Sequence, residues 1–306
     1  MKKEELKTYS ITENHHSGLE LELHFMPRFF ADNPCCAEPH AHEFYQIIWF
    51  RRGHGTHHVD FTDYEVSDNT IFLIAPGQTH SFDGRTDYQG VVIHFNAGFM
   101  ANEETSESVF LKYDVFNAYD SSPYCKVSND EAGRLMNIVN EMNREYALTG
   151  AFAHKDYMQY LVRLFLIRIQ RSGERKEVPK LYVSSVANKT FVGFRQLLEQ
   201  NFCRLHTVRE YAELLNISSR TLTKYVNQSA CHSPLQIINE RIALEAKRLL
   251  HHSTLSVKEV GYRLGFEDPS YFVKFFKRLT GKMPSEFRKQ NTRTNDTNLT
   301  QRKSYE

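Results

Sequence analysis

This sequence of 306 residues has no long apolar run, only five cysteines and a formal net charge of +1. No window approaches the roughly 20 consecutive apolar residues that a membrane helix needs, and the charged amino end lacks the apolar core of a secretory signal. The five cysteines contain no C-x-x-C pair, which fits neither a zinc ribbon nor a disulfide framework. We therefore expect a protein of the reducing cytoplasm that does not enter a membrane.

The formal net charge of +1 hides a strong asymmetry between the two parts of the chain. Residues 191–306 contain 19 basic and 11 acidic side chains, a net charge of +8, whereas residues 1–190 carry 19 basic and 26 acidic side chains, a net charge of −7. A basic segment of this kind is typical of proteins that bind a polyanion. The alternative is a positive face that is merely solvated.

Short β-rich runs, separated by glycine and proline, dominate the segment from Leu19 to Asn96; they lie at 44–50, 57–61, 70–75 and 88–95. Regular short strands with such breaks are typical of a sandwich or barrel. We assign 1–128 to one β-domain of this kind. With the helical segments that follow, the expected fold class is α+β with more than one domain.

Apolar residues recur at helical spacing in two segments after this β-region. The first stripe consists of Leu135, Ile138, Val139 and Met142, and the second of Met158, Leu161, Val162, Phe165 and Ile169. The second helix needs a partner, which is either the β-domain or the same helix of a second chain. We assign 129–171 to a packing or dimerisation segment and 172–189 to a linker.

An internal repeat identifies the carboxyl-terminal part. Thr207-Val-x-Glu210 recurs 49 residues later as Ser256-Val-x-Glu259, and both are capping boxes that begin a helix. Beyond the turn the offset becomes 50, because the second copy has one additional residue at Asp268-Pro269. Each copy is predicted to form a helix, a tight turn and a second helix.

Local chemistry supports the turn in each copy. Asn216 and Gly265 stand where the chain must turn sharply, and both residue types tolerate positive φ. Ser218 and Asp268 are predicted N-caps of the second helices. A third capping box at Ser233-Pro-Leu-Gln236 begins a helix that joins the two copies.

The second helix of each copy has one apolar and one polar face. The residues predicted to point inward are Leu222, Tyr225 and Val226 in the first copy and Phe272, Phe275 and Phe276 in the second. Those left outside are Arg220, Thr223, Lys224, Ser270, Val273, Lys274 and Lys277. Cations, hydroxyls and methyl groups are the groups that contact phosphates and base edges in the major groove. These seven residues are the predicted DNA-binding site.

The stretch from Phe191 to Lys289 closely resembles the AraC family of bacterial transcription regulators. The resemblance rests on Arg248-Leu-Leu, on the long motif from Val257 to Arg278 and on Gly281-Lys-Met-Pro-Ser-Glu-Phe-Arg288. It implies a DNA-binding domain over 190–290 that reads successive major grooves with two helices. We expect residues 291–306 to form a polar, disordered tail. The first copy departs from the family pattern at Asn216 and at 225–227.

Two short motifs in the amino-terminal part resemble those of cupins: Pro39-His40-Ala-His42 with Gln46, and Pro76-Gly-x-x-His80. The resemblance implies that 1–128 forms a cupin-like β-barrel that senses an effector. In metal-binding cupins these positions hold a cation, but Gln46 replaces the usual Glu and Gly84 the usual Asn, so we expect no metal. We predict instead that His40, His42, Gln46 and His80 bind a small polar effector. The alternative is a set of satisfied polar residues. The pairs at 15–16, 57–58 and 251–252 are expected on the surface.

The resemblance implies a transcription regulator, in most members an activator, that responds to a small molecule in the amino-terminal domain. Its expected partners are double-stranded promoter DNA, RNA polymerase, the effector and a second copy of the chain. No cofactor and no catalysis are expected. The alternative function is a metal-dependent cupin enzyme, a dioxygenase or isomerase, fused to a DNA-binding domain.

Overall fold

A computed structural model describes residues 7–11, 19–85, 87–100, 116, 123–172, 186–229 and 232–289. The chain divides into two compact units, which we call the β-unit (Lys7–Val178) and the helical unit (Pro179–Glu306, with Met1–Leu6). The predicted α+β class is confirmed. Most of the predicted linker and the whole of the predicted tail lie outside the described residues. Among the described helices, none combines the length and apolar character of a membrane span.

In the described part of the β-unit, ten strands form two five-stranded sheets. The strands are β1 (Lys7–Tyr9), β2 (Leu21–Phe25), β3 (His40–His42), β4 (Tyr45–Arg52), β5 (Gly55–Val59), β6 (Thr62–Val66), β7 (Thr70–Ile74), β8 (His80–Phe82), β9 (Gln89–Phe95) and β10 (Tyr124–Lys126). One sheet has the order β1-β3-β8-β5-β6 and the other β10-β7-β4-β9-β2. Only β1 and β3 pair in parallel among these strands.

Side chains of the two sheets meet in an aromatic interior. Alternation along β4 directs Ile48 and Phe50 into this interior and Ile47 and Trp49 to the opposite face of the sheet. Phe29 and Phe30 of α1 (Arg28–Asp32) and Cys36 of a 3-10 turn (Pro34–Ala37) pack in this interior, whereas Phe99 and Met100 of α2 (Ala97–Met100) pack in the apolar cluster on the opposite face. The interior is therefore largely apolar and aromatic.

Two long helices cover the outer face of the second sheet: α3 (Asn129–Tyr146) and α4 (His154–Ser172). Phe165 of α4 contacts Trp49, with ring centroids 6.0 Å apart. Arg168 of α4 forms a bidentate ion pair with Glu131 of α3, at 2.6 and 3.0 Å. The predicted apolar stripe of α4 thus packs on the β-domain. Of the two partners that the sequence left open for this stripe, it is the β-domain and not a second chain.

Among its described residues, the helical unit contains α5 (Val186–Asn201), α6 (Val208–Leu214), α7 (Ser219–Ser229), α8 (Pro234–His252), α9 (Val257–Arg263) and α10 (Pro269–Thr280), and residues 284–289 are helical as well. One apolar core joins all of them. Helix α8 packs against α6 and α7 on one side and against α9 and α10 on the other. The two predicted helix-turn-helix copies are therefore α6–α7 and α9–α10, and α8 is their common support.

The predicted helix starts and turns are confirmed. Capping boxes are present at the starts of α6, α8 and α9. Asn216 has φ of 54° and Gly265 has φ of 81°, the left-handed conformation that the turn requires. A Cβ atom on Gly265 would also collide with the carbonyl oxygen of Cys203. In the second copy a Cβ on Gly261 would lie 3.2 Å from Phe272, so α9 and α10 cross closely.

Candidate functional site

The outward face of α7 presents cations. Arg220 and Lys224 are exposed, whereas Leu222 and Val226 are fully buried. Thr223 is half-buried, and its hydroxyl donates a hydrogen bond of 2.8 Å to the carbonyl oxygen of Ser219. The Thr223 side chain therefore has only its methyl group and its oxygen lone pairs to offer a ligand.

The outward face of α10 repeats this chemistry. Ser270, Lys274 and Lys277 are exposed and Val273 is half-buried, while the inward side chains, Phe272, Phe275 and Phe276, are at most 5% exposed. Asp268 caps the helix by accepting from the backbone N–H of Ser270 at 2.8 Å. The sequence reasoning missed one exposed cation on this helix, Arg278, which lies over the Phe275 ring at 5.8 Å.

Neither α7 nor α10 contains an aspartate or glutamate. Each helix is a rod with a buried apolar face and an outer face of cations, hydroxyls and methyl groups. Such a face can contact phosphate oxygens with its cations and base edges in the major groove with its shorter side chains. Because both helices pack on α8, the two faces are held at a fixed separation by one core.

The four residues predicted to bind an effector all lie in the interior of the β-unit. His40, His42, Gln46 and His80 are each at most 5% exposed. His42 Nε2 lies 3.1 Å from His80 Nε2 and 3.1 Å from Gln46 Oε1. His40 pairs in register with His80, and their ring centroids are 4.3 Å apart. The structure thus brings all four together.

The expectation that His57 lies on the surface is wrong. This side chain is completely buried, its Nε2 atom lies 2.9 Å from His80 Nδ1, and its ring stacks on Phe82 at 4.6 Å. The reason is strand alternation, because β5 pairs with β8 and directs His57 inward and His58 outward.

His58 is half-buried and contacts Asp63. His251 and His252 are partly buried at the end of α8, and the pair at 15–16 lies outside the described residues.

The sequence reasoning also missed three polar residues that extend this cluster. His94 of β9 lies between Gln46 and Glu22 in register, and its Nε2 and Nδ1 atoms lie 2.7 Å from Gln46 Nε2 and 3.1 Å from Glu22 Oε2. His24 lies two residues from Glu22 on β2 and contacts the same carboxylate. A histidine inside the apolar run 91–95 was a usable signal for His94. Nothing in the sequence indicated that β2 would pair with β9.

Burial keeps these imidazoles neutral. It lowers the pKa of His42 to about 3 and the pKa values of His57 and His80 well below their ordinary value. The pKa values of His40 and His94 are lowered for the same reason. A neutral imidazole has one N–H donor and one lone pair, so its partners determine where the proton resides.

The partners of His42 fix the direction of the hydrogen bonds. A carbonyl oxygen only accepts, so the contact of 2.7 Å to Phe44 O places the proton of His42 on Nδ1. His42 Nε2 then accepts from His80 Nε2–H, and His80 Nδ1 accepts from His57 Nε2–H. With these lone pairs already engaged, His42 and His80 do not fit the role of metal ligands in this arrangement.

Gln46 completes the acceptor surface. Its amide nitrogen donates to His94 Nε2, so its oxygen faces the lone pair of His42 Nε2 at 3.1 Å. His42 Nε2 already accepts from the N–H of His80, so the acceptors that can serve a ligand are Gln46 Oε1 and His40 Nε2, because His40 Nδ1 donates to the carbonyl oxygen of Glu38. These two atoms suit a ligand that brings N–H or O–H donors. Aromatic rings flank the same position, with Phe44 stacked on His42 at 4.4 Å. This arrangement can hold a small molecule that has hydroxyl or amino groups and an apolar face.

Comparisons with known proteins match both units. A model of an AraC-like ligand-binding domain matches residues 32–136, and a model of a helix-turn-helix domain matches residues 211–290. The HTH-type transcriptional activator RhaR of Cronobacter sakazakii is 25% identical over 261 residues, which cover 82% of this chain and 86% of that protein. RhaR of Escherichia coli K12 is 20% identical over 254 residues, covering 83% and 87%. ToxT of Vibrio cholerae O395 has a TM-score of 0.38 with 14% identity, covering 80% and 88%.

Proposed function

This chain belongs to the AraC family of transcription regulators, and from that membership we propose that it activates transcription from specific promoters when a small molecule occupies the β-unit. DNA binding and an effector-binding domain come with the family. The remaining assignments are ours: the residues that read DNA, the residues that bind the effector, the sign of regulation and the dimer. The names of the RhaR relatives support activation.

We assign DNA reading to α7 and α10. Arg220 and Lys224 of the first helix and Lys274 of the second are exposed beside shorter side chains that can reach base edges. Lys277 is placed to contact a phosphate. The single observation that carries this assignment is the repetition of the same acid-free outer face on two helices of one core. Two such helices would lie in successive major grooves, about 34 Å apart.

We assign effector binding to the cluster of His40, His42, Gln46 and His80. The Gln46 oxygen and His40 Nε2 favour a ligand with hydroxyl or amino donors and disfavour a carboxylate, because a carboxylate would face these acceptors. Activation requires that the ligand bind one arrangement of the protein more tightly than another. We infer that the chain has no catalytic activity and needs no cofactor, and that RNA polymerase is its partner at the promoter in the bacterial cytoplasm.

We propose that two chains pair through the outer face of α4. This helix buries one face on the β-domain but exposes Tyr157, Tyr160 and Leu164 on the other, at 42%, 63% and 43%. These residues recur at helical spacing and form an apolar stripe. The proposed dimer places two helical units on one promoter, which raises their affinity through effective concentration.

The test is selection of bound sequences from a random DNA pool with the full chain, followed by salt titration of binding to the selected site. Lys274→Ala is expected to relax base preference at one position, at a cost of about 1–3 kcal/mol, and Lys277→Ala to reduce the salt slope by about 1 without changing preference. Lys189→Ala, an exposed lysine on α5, is the matched control. Unchanged preference in Lys274→Ala, or equal effects of all three variants, would contradict the assignment.

A further inference from the structure

Three side chains at the edge of the β-unit interior form a cluster that DNA binding and effector binding do not use. Glu22 and His24 lie on one face of β2, and His94 stands opposite Glu22 on β9. Glu22 Oε2 lies 3.1 Å from His94 Nδ1 and 3.1 Å from His24 Nε2. The three atoms that could serve as ligands all lie within 4.8 Å of one another.

The surroundings of this cluster suit a bound ion. Phe29 of α1 packs against both imidazoles, at centroid distances of 5.3 Å from His24 and 5.8 Å from His94, and Phe44 lies 4.6 Å from His94. The side chains of His94 and Glu22 are 8% and 14% exposed, and that of His24 is 37% exposed. The cluster is therefore enclosed by aromatic rings on the inner side and open to solvent at His24.

We propose that Glu22, His24 and His94 bind one divalent transition-metal ion of the class of Zn²⁺, Co²⁺ and Ni²⁺. Two imidazoles and one carboxylate are the ligands that such ions prefer, and hard Mg²⁺ prefers oxygen alone. Bonds of about 2.1 Å to one ion place neighbouring ligand atoms roughly 3.0–3.4 Å apart, which the two contacts of 3.1 Å already satisfy. The remaining pair, His24 Nε2 and His94 Nδ1, lies within 4.8 Å, so the half-buried His24 ring has to move by at most about 1.8 Å.

Hydrogen bonding gives this site a defined outer partner. A metal on His94 Nδ1 leaves the His94 proton on Nε2, 2.7 Å from the Gln46 amide. That amide must then turn its oxygen toward His94 and its NH₂ group toward His42 Nε2. In this reversed orientation, the Gln46 oxygen no longer faces the acceptor atom His42 Nε2. Metal binding thus exchanges an acceptor for a donor at the proposed effector surface.

The metal ligands are distinct from the motif residues His40, His42 and His80, whose proton positions were derived above. Three ligands leave coordination positions that water or an oxygen of a bound small molecule would complete. The proposal concerns metal binding and does not depend on whether the helical unit binds DNA.

The test uses the untagged full chain, stripped with a chelator and titrated with Co²⁺, whose visible absorption reports nitrogen and oxygen ligands. We expect one Co²⁺ per chain, displaced by Zn²⁺ and unaffected by excess Mg²⁺. His24→Gln removes the exposed ligand and should weaken Co²⁺ binding by more than the roughly 10–100-fold that loss of an outer partner costs. Glu22→Gln should do the same. His58→Gln is the matched control, because His58 is half-buried beside Asp63 without belonging to a described ligand cluster.

Urea unfolding of each metal-free variant, followed by Trp49 fluorescence, checks that the β-unit is folded. Absence of a Co²⁺ spectrum in the wild-type chain overturns the proposal. So does binding by folded His24→Gln and Glu22→Gln with wild-type affinity. DNA binding by the metal-free chain is measured in parallel: a chain that binds DNA but no Co²⁺ refutes only the metal site, and the reverse result refutes only the regulator assignment.

Discussion

Mild acidification should destabilise the β-unit. The perturbation is a change from pH 7.5 to pH 5.0, and the responsible groups are the buried neutral imidazoles. His42 has a pKa of about 3 in the folded chain and about 6.5 when unfolded. Because the folded pKa is the lower one, the unfolded chain binds the proton first. Stability is therefore complete above pH 6.5 and is lost as pH falls toward 3.

The magnitude follows from these two values. At pH 5.0 the unfolded His42 is almost fully protonated and the folded one is not, which costs about 2 kcal/mol of unfolding free energy. Burial lowers the pKa values of His57 and His80 in the same direction. Both imidazoles therefore add to the loss that His42 causes, which alone is a sizeable part of the roughly 5–15 kcal/mol that stabilises a typical domain.

The assay is urea unfolding at both pH values, followed by the fluorescence of Trp49. This residue is the only tryptophan of the chain and is 1% exposed inside the β-unit, so its signal reports on that unit alone. His42→Asn is the informative variant, because asparagine keeps an N–H donor near the position of Nδ1 but does not titrate. Its loss of stability at pH 5.0 should be smaller by about 2 kcal/mol than that of the wild type. A Trp49 midpoint that is independent of pH, or the same pH dependence in both proteins, would refute the reasoning.

Three further predictions concern single contacts. Gly265→Ala should destabilise the helical unit by more than about 1 kcal/mol. The loss should exceed that of Gly281→Ala, because of these two sites only Gly265 has backbone atoms within collision distance of the new Cβ. Thermal unfolding followed by circular dichroism measures both losses, and equal losses would contradict this. Leu164→Asp should convert the proposed dimer to a monomer in analytical ultracentrifugation. Phe152→Asp, which changes a fully exposed apolar residue outside the α4 stripe, should leave the dimer intact. A dimeric Leu164→Asp protein would exclude the α4 stripe as the dimer interface. Ser256→Ala should cost about 1 kcal/mol through loss of the capping box, measured by chemical denaturation, and an unchanged midpoint would show that the cap is not needed.

The helical unit could be predicted from the sequence almost in full, because its determinants are local. A capping box involves residues three positions apart, and the positive φ of Asn216 and Gly265 is a property of the residue itself. The duplication supplied a second copy of each signal. Inward and outward faces of α7 and α10 followed from helical period alone.

The β-unit could be predicted less well, because its site depends on which strands are neighbours. The motif around His40 and His42 was visible, but His57 was misplaced because a pair of adjacent histidines gives no indication which one faces inward. Glu22 and His94 are 72 residues apart and meet only through the pairing of β2 with β9. Long-range register of this kind is not encoded in any short pattern.

The common support provided by α8 has a consequence for the promoters this protein can use. Inserting one residue into α8 would rotate the second helix-turn-helix copy by about 100° relative to the first and shift it by about 1.5 Å. A small change in the length of an operator therefore cannot be matched by a small change in the length of α8. Under the proposed reading of DNA by α7 and α10, an operator must keep the phase of its two halves constant, while the bases between them are free to vary.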